Sequence, residues 1–559
     1  MITDLPHILA YREQQQLFLF DKAYIAGVLF KVGGLSTLIG RFIVQFCWNP
    51  AIACIITALL LATSVYLTWL AFRRSSSDWN LVPLCIAPAL LMGACLCDNA
   101  MHFDVLIAWI LCLTALALYS NVKSCRVGWG VLITVVLYLA AGPAALVFAV
   151  TAFISDCLKG RFASAINIAV ALVCGLMAYG FAWVPTFKDA ITPALFYDLD
   201  AAMPFVHWAP WIALPAVALI AGIIDLLPLK ESRILLLNCV LLIAAAPVSI
   251  GIVNKFYQKQ TATLYGFEYY TVNEDWDGLI KYCKQQEWLP ITANYLNMAL
   301  SYQGKLCDDL FKYDQRGPMS LIMTHKERGV DVTQAHIMFA MGNVAAAQDV
   351  SFNLLLSLNG ICPAMLKMNA VIEILRGSYG VADKYLTILE KAPHYRRWAK
   401  QQRRFLWNEA AIEDDVFYST RRRGFPEQGF AMFGDPMTEL YRILEANPSD
   451  TQAMQYALSF LMLAKDMNSV CQIVDRFYGS PALQELPATV QEAVLFQSEY
   501  LRNVGNINQL SEEWCLDHGV THETIRRFEA FKQASLQNGG KAPARFRGSF
   551  WYYLTSVQI

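Results

Sequence analysis

Charge is what this chain has least of. Asp, Glu, Lys and Arg make up 16% of its 559 residues, against roughly 25% in an ordinary soluble domain. The two signs nearly cancel, leaving a net charge of −1, so the basic excess of a general nucleic-acid binder is absent and no nucleic-acid partner is expected. A cysteine framework is missing too. Ten of the fifteen cysteines fall between Cys47 and Cys239, in or beside apolar runs, where they act as small hydrophobes. The other five, Cys283, Cys307, Cys362, Cys471 and Cys515, are widely spaced and odd in number, which suggests neither a disulfide set nor a zinc site. Residues 1–50 show no basic stretch leading into an apolar core and a small-residue cleavage site, so no signal peptide is read. The sequence also holds no phosphate-cradling glycine loop, no nucleophile elbow and no metal-spaced His/Cys cluster, so no familiar soluble-enzyme motif is available.

What is present is apolar residues, 56% of the chain, with a mean hydropathy of +0.37. They gather into runs at roughly 51–72, 81–97, 104–120, 129–141, 143–157, 163–184, 208–228 and 234–253. A membrane-crossing helix needs about 20 apolar residues. The run over 129–157 is broken at Gly142-Pro143, since proline has no N–H to donate and its ring clashes with the preceding turn. It reads as one kinked span or as two short ones that turn back. The basic residues decide between these. Arg73 and Arg74, Lys123 and Arg126, Lys159 and Arg161, and Lys230 and Arg233 share one face only if Gly142-Pro143 is a turn. Asp98, His102, Asp104, Lys188, Asp189, Asp198 and Asp200 then share the other. The positive-inside rule favours that hairpin. It gives about eight spans over 51–254, with both termini on the outer face. In a Gram-negative bacterium this is the cytoplasmic (inner) membrane, with the carboxy-terminal part in the periplasm. An outward amino terminus without a translocation signal leads us to expect an upstream helix absent from this sequence.

Residues 1–50 show two amphipathic stretches, Gln16–Leu29 and Leu35–Phe46, divided by Gly33-Gly34, of the kind that lie flat in the membrane interface. Beyond Lys255 the composition turns charged and aromatic, with 3.6-residue periodicity. Segments spaced by about 34 residues resemble tetratricopeptide repeats. In one, Gly377, Tyr379, Ala382, Leu386, Leu389 and Pro393 stand at the turn, small and apolar positions; Gly342, Val344, Ala347 and Leu354 match a second. The expected fold is therefore all-α: a polytopic helical membrane domain over 51–254, followed by a soluble α-solenoid over 255–559.

Ionisable groups close to hydrocarbon are costly and ask for a reason. On the outer face they are Glu13 and Asp21 in the first segment, and Asp98, Asn99, His102 and Asp104 crowded into CDNAMHFDVL. Asp104 at the start of a span also suits a plain helix cap. These features, with the Gly142-Pro143 turn, resemble the membrane glycosyltransferases of the GT-C fold. MHFD is similar to the Asp-x-x-His-Phe pattern of the branch that uses lipid-linked sugars, although Ala141 stands where the family's Lys-Gly-Pro-like turn has lysine. The resemblance implies a polyprenyl-phosphate sugar donor and Glu13 or Asp21 as catalytic base. It implies Asp98, His102 and Asp104 as groups that position the leaving phosphate, or Mg²⁺ or Mn²⁺ held on Asp98 and Asp104. The whole layout also resembles a family of bacterial multi-spanning membrane proteins. The alternative is a non-catalytic membrane scaffold whose repeats recruit an envelope protein partner. Two further features carry no chemistry of their own. The basic-aromatic stretch Tyr395–Trp407, with Arg421–Arg423, fits a solvated helix face or an anionic headgroup contact. The terminal FRGSFWYYL is too apolar to hang free.

Overall fold

The computed structural model describes residues 5–73, 81–98, 101–196, 205–226, 231–323, 331–357, 362–424, 435–505, 510–539 and 542–557. Arg74, Asn99, Asp198, Asp200 and Lys230 lie outside the described residues. Every regular element among the described residues is helical. The chain divides into two compact units: 1–266 together with Lys391–Arg396, and 267–390 together with 397–559. The division differs from a boundary at 254/255 in two ways. It falls inside a helix, Lys259–Val272, and it assigns six residues of the later sequence to the first unit.

The first unit opens with three short helices, α1 (Leu5–Gln15), α2 (Lys22–Leu29) and α3 (Gly34–Val44). The first amphipathic stretch thus starts later than expected from sequence: Gln16–Leu19 is non-helical, and Asp21 starts α2 by accepting from Tyr24 N at 3.4 Å. α3 buries Gly34, Ser36, Gly40 and Val44 and leaves Phe42 40% exposed. Then come α4 (Pro50–Phe72), α5 (Val82–Cys95), α6 (Phe103–Ser120), α7 (Arg126–Ala141), α8 (Ala144–Cys157), α9 (Ile166–Gly180), the short α10 (Phe187–Ile191) and α11 (Pro193–Phe196), α12 (Ala209–Leu226) and α13 (Glu231–Phe256).

Their faces are inverted relative to a water-soluble bundle. α4 buries Ala53, Thr57, Ser64 and Thr68, while Ile55 and Leu59 face outward, 59% and 63% exposed. α9 buries Asn167, Ala171, Gly175 and Ala178 and turns Val173, Leu176 and Met177 outward. Small and weakly polar residues at helix contacts, with large apolar residues outside, suit a hydrocarbon solvent. The buried hydroxyls are satisfied one turn back, as in Thr57 Oγ1 to Ala53 O at 2.8 Å. Among the described residues four helices are long and apolar enough to cross a membrane: Pro50–Phe72, Phe103–Ser120, Phe162–Gly180 and Ser232–Lys255. The other expected spans correspond to shorter apolar helices, α5, α7, α8 and α12. α6 lies at the centre, packed on α3, α4, α7 and α8, and Trp109 on it meets Trp211 of α12 edge to face at 5.2 Å.

α7 stops at Ala141 and α8 starts at Ala144. Gly142 sits at φ 55°, ψ −137°, a conformation open to glycine alone. The chain then runs back along itself. Arg126 at the start of α7 holds Asp156 near the end of α8, Nε to Oδ1 at 3.1 Å, so the two helices are antiparallel.

In the second unit consecutive helices pack in pairs, among them Asp331–Ala340 with Val344–Ser357, and Pro363–Leu375 with Tyr379–Glu390. Ala346, Ala347, Ala382, Leu386 and Leu389 are fully buried between them. The apolar tail packs inside this unit: Phe550 and Trp551 are fully buried, Phe550 N donates to Glu492 Oε2 at 2.7 Å and Trp551 Nε1 to Glu492 O at 2.9 Å.

Candidate functional site

Five segments of the first unit bring polar groups to one end of the helix bundle. α1 supplies Arg12 and Glu13, the non-helical stretch after it Gln16, α3 Arg41, the α5–α6 connection Asp98 and His102, and the first turn of α6 Asp104. Arg12, Glu13, Gln16 and Asp104 are buried, while Arg41, Asp98 and His102 are partly exposed.

Arg12 is fully buried. Its Nη2 donates to Leu96 O at 2.7 Å and to Asp98 O at 3.4 Å. These carbonyls follow the last turn of α5, where orphan acceptors and the negative end of the helix dipole favour a cation. The guanidinium carbon lies 5.1 Å from the Phe103 ring centre. Burial lowers the Arg12 pKa to about 10, with Asp98 opposing the shift, so the group stays charged. Its Nε and Nη1 make no hydrogen bond among the described residues.

Gly40 places the second arginine. A Cβ there would lie 2.9 Å from the Asp104 backbone and 2.3 Å from its Oδ1, so only glycine lets α3 press against the start of α6. The next residue, Arg41, thereby comes up to the Asp104 carboxylate, with the Gln16 amide beside it. Arg41 Nη1 reaches Tyr24 Oη at 3.3 Å, while its Nε has no hydrogen bond among the described residues. His102 stands close to both arginines. Burial first, then the charges of Arg12 and Arg41, push its pKa down to about 4, so it is a neutral imidazole at physiological pH.

The remaining expected residues have separate partners. Asp98 Oδ2 lies 3.0 Å from Nε2 of His207, which is almost wholly buried. Glu13 accepts from Tyr395 Oη and from Gln14 Nε2, both at 2.7 Å. Asp21 faces Lys391 Nζ at 3.3 Å, caps α2 and makes no hydrogen bond or ion pair with the two arginines. Tyr395 and Lys391 belong to the segment Lys391–Arg396, whose Lys391 O also accepts from Phe20 N at 2.8 Å and whose His394 stacks on Trp48.

This donor set does not fit a divalent cation. Asp98 is paired with a histidine and Asp104 stands beside an arginine. No group of three His, Cys, Asp or Glu side chains among the described residues could hold a metal ion. A buried guanidinium, Arg12, and a half-buried one, Arg41, each with N–H groups unpartnered among the described residues, fit an anion instead, since a guanidinium fork matches phosphate oxygens.

The chain belongs to the family of unknown function DUF6057. The match runs over residues 1–556. No curated protein and no solved structure matches this DUF6057 chain.

The second unit carries its own cavity, of about 490 Å³. Trp276 stacks on Tyr302 at 4.1 Å, and Lys367 Nζ lies 5.1 Å from the Trp398 ring. Phe339 and His336 complete the wall, with His336 Nε2 held 3.3 Å from the buried Glu268. Of these, Trp398 falls in the stretch Tyr395–Trp407 that the sequence marks out. The solvated-face reading suits that stretch: Arg396, Arg397 and Lys400 are exposed, while Arg403 binds Asp383 and Glu390, Arg404 binds Asp415 and Arg422 binds Glu409. These carboxylates take up part of the charge that a headgroup contact would use.

Proposed function

We propose that this DUF6057 protein is a GT-C-like membrane transferase that uses a lipid-linked sugar. The observation that carries the reading is the pair of arginines, buried Arg12 and half-buried Arg41, with N–H groups unpartnered among the described residues beside Asp98, His102 and Asp104. A buried cation without a full set of partners costs several kcal/mol, and an anionic ligand would recover that cost. The ligand proposed is the phosphate of a polyprenyl-phosphate sugar entering from the bilayer.

In the proposed step an acceptor hydroxyl oxygen attacks the anomeric carbon. The bond from that carbon to the phosphate oxygen breaks, and its electron pair leaves with the phosphate. Arg12 and Arg41 take up the charge that develops there, while Glu13 takes the acceptor's proton. Asp104 orients Arg41, and neutral His102 hydrogen-bonds the phosphate or the acceptor. Asp21, as a helix cap, has no part. The 51–254 region serves as the membrane domain and the second unit as a solenoid on the outer, periplasmic face of a bacterial cytoplasmic membrane, where it binds acceptor or partner. The one-sided placement of Lys and Arg in the short connections supports that orientation.

The test is turnover of a polyprenyl-phosphate sugar by purified full-length protein, followed by mass spectrometry of the released polyprenyl phosphate. Glu13→Gln should lose about 10²–10⁴-fold, the usual worth of a general base, and Arg41→Gln should also lose turnover. Equal release by wild type, Glu13→Gln and Arg41→Gln would remove the transferase reading.

The aromatic cavity of the second unit favours a second reading, a non-catalytic scaffold that holds an envelope protein on its repeats. A protein that turns over no lipid-linked sugar, yet captures a partner lost on Trp398→Ala, would establish that reading.

A further inference from the structure

A second cavity in the first unit, of about 550 Å³, lies among the far ends of its helices. Leu70–Arg73 close α4, Leu116–Asn121 close α6, Arg126 opens α7, Ser155 and Lys159 end α8 and its following turn, and Ala218–Gly222 come from α12. None of the groups discussed for sugar transfer lines it.

Its charge is unbalanced. Among the described side chains the carboxylate nearby is Asp156, which is 1% exposed and already committed: Tyr119 Oη donates to Oδ2 at 2.7 Å and Arg126 Nε lies 3.1 Å from Oδ1. Arg126 also donates from Nη1 to Val122 O at 2.9 Å, with its guanidinium carbon 4.2 Å from the Tyr119 ring centre. That arginine is spent on structure. Arg73 and Lys159 have no carboxylate partner among the described residues. Arg73 lies over the Trp69 ring, its guanidinium carbon 5.1 Å from the ring centre. Ser120, Asn121 and Ser155 add hydroxyl and amide groups to the same wall.

We infer that this cavity is a binding site for the headgroup of an anionic phospholipid. The phosphate diester would sit between Arg73 and Lys159. Ser120, Asn121 and Ser155 would meet the headgroup hydroxyls, and the acyl chains would follow the outward apolar faces of α4 and α12. Depth decides for a lipid over a soluble anion: the cavity is set at the ends of helices apolar enough to cross a membrane, where phospholipid phosphates lie. Its volume is within the range of small-molecule sites.

The test uses full-length protein in nanodiscs holding equal amounts of phosphatidylglycerol and phosphatidylcholine, released into native mass spectrometry. Wild type should retain phosphatidylglycerol roughly tenfold over phosphatidylcholine, and the double variant Arg73→Gln/Lys159→Gln should lose most of that preference. Lys312→Gln/Arg316→Gln, the same charge change on exposed residues of the second unit, should retain it. No preference in wild type, or equal preference in the Arg73/Lys159 double variant, overturns the site. Displacement of the retained lipid by millimolar inorganic phosphate would overturn the lipid assignment, since the cavity would then read phosphate alone. A melting temperature within a few degrees of wild type guards against misfolding of the double variant, and Lys159→Gln alone, on an exposed side chain, supplies the same readout if it melts early.

Discussion

Gly40 shows how one missing side chain sets a charge. Because a Cβ there would run into the Asp104 backbone, Gly40→Ala must push α3 off α6. Overpacking of this kind costs about 1–3 kcal/mol; a lowered melting temperature in detergent is expected. Gly27→Ala is the matched control, since its Cβ would meet nothing within 4 Å. It should be neutral or stabilise α2 by up to about 1 kcal/mol through helix propensity. Two titrating residues give opposite pH slopes in the two units. The folded pKa of His102 is lowered to about 4 by burial and the two arginines. Between about 4 and 6.5 the unfolded chain binds a proton that the folded one refuses, so stability of the first unit should rise with pH there. Glu492 is the reverse. Burial raises its folded pKa to about 7, against the pull of Phe550 N and Arg527, so its contribution is complete below about 4.5 and lost as pH rises through 7. Denaturation of each variant across this range checks both: His102→Gln and Glu492→Gln should each flatten one slope.

The α7–α8 pair makes the corresponding case for an element. Gly142 holds φ 55°, ψ −137°, and a Cβ on it would lie 2.9 Å from the Phe196 ring. Gly142→Ala should therefore destabilise by several kcal/mol. Pro143→Ala keeps an ordinary helical conformation, φ −65°, ψ −5°, and should cost far less. A melting temperature for Pro143→Ala as low as that for Gly142→Ala would show that the proline ring, not the glycine backbone, makes the turn. This break is legible in the sequence because Gly-Pro acts locally. The apolar helices are legible for the same reason, as is the helical periodicity after Lys255. Glu13, Asp98, His102 and Asp104 stand out because each is polar beside hydrocarbon-like sequence. Arg41 carries that same signal, as a lone charge in LIGRFIV, whereas Arg12 stands beside Glu13 and three glutamines and reads as part of a polar stretch. Tyr395 and His207 had none: their partners, Glu13 and Asp98, are remote in sequence, and only tertiary packing joins them. Helix ends were legible too: α7 and α8 end at Ala141 and Cys157, where their apolar runs end, and α5 ends at Cys95, two residues inside its run.

For the molecule as a whole the decisive quantity is sidedness. Cys125 is exposed, between Lys123 and Arg126 at the mouth of α7. If the short basic connections are cytosolic, a membrane-impermeant maleimide should label Cys125 only after the cells are opened. Protease added outside spheroplasts should reach the second unit. Labelling of Cys125 in intact spheroplasts, with a protected second unit, would reverse the proposed topology and remove the transfer reaction from the outer face.

Six residues from late in the chain, Lys391–Arg396, complete the first unit. A ribosome releases every apolar helix long before it has made them, so Glu13 must wait, without its tyrosine, until residues 267–390 of the second unit have been translated. A gene cut after Gly266 would therefore yield an incomplete body. Supplying the remainder as a separate polypeptide, rather than trimming it away, is the route by which the two halves can be studied apart.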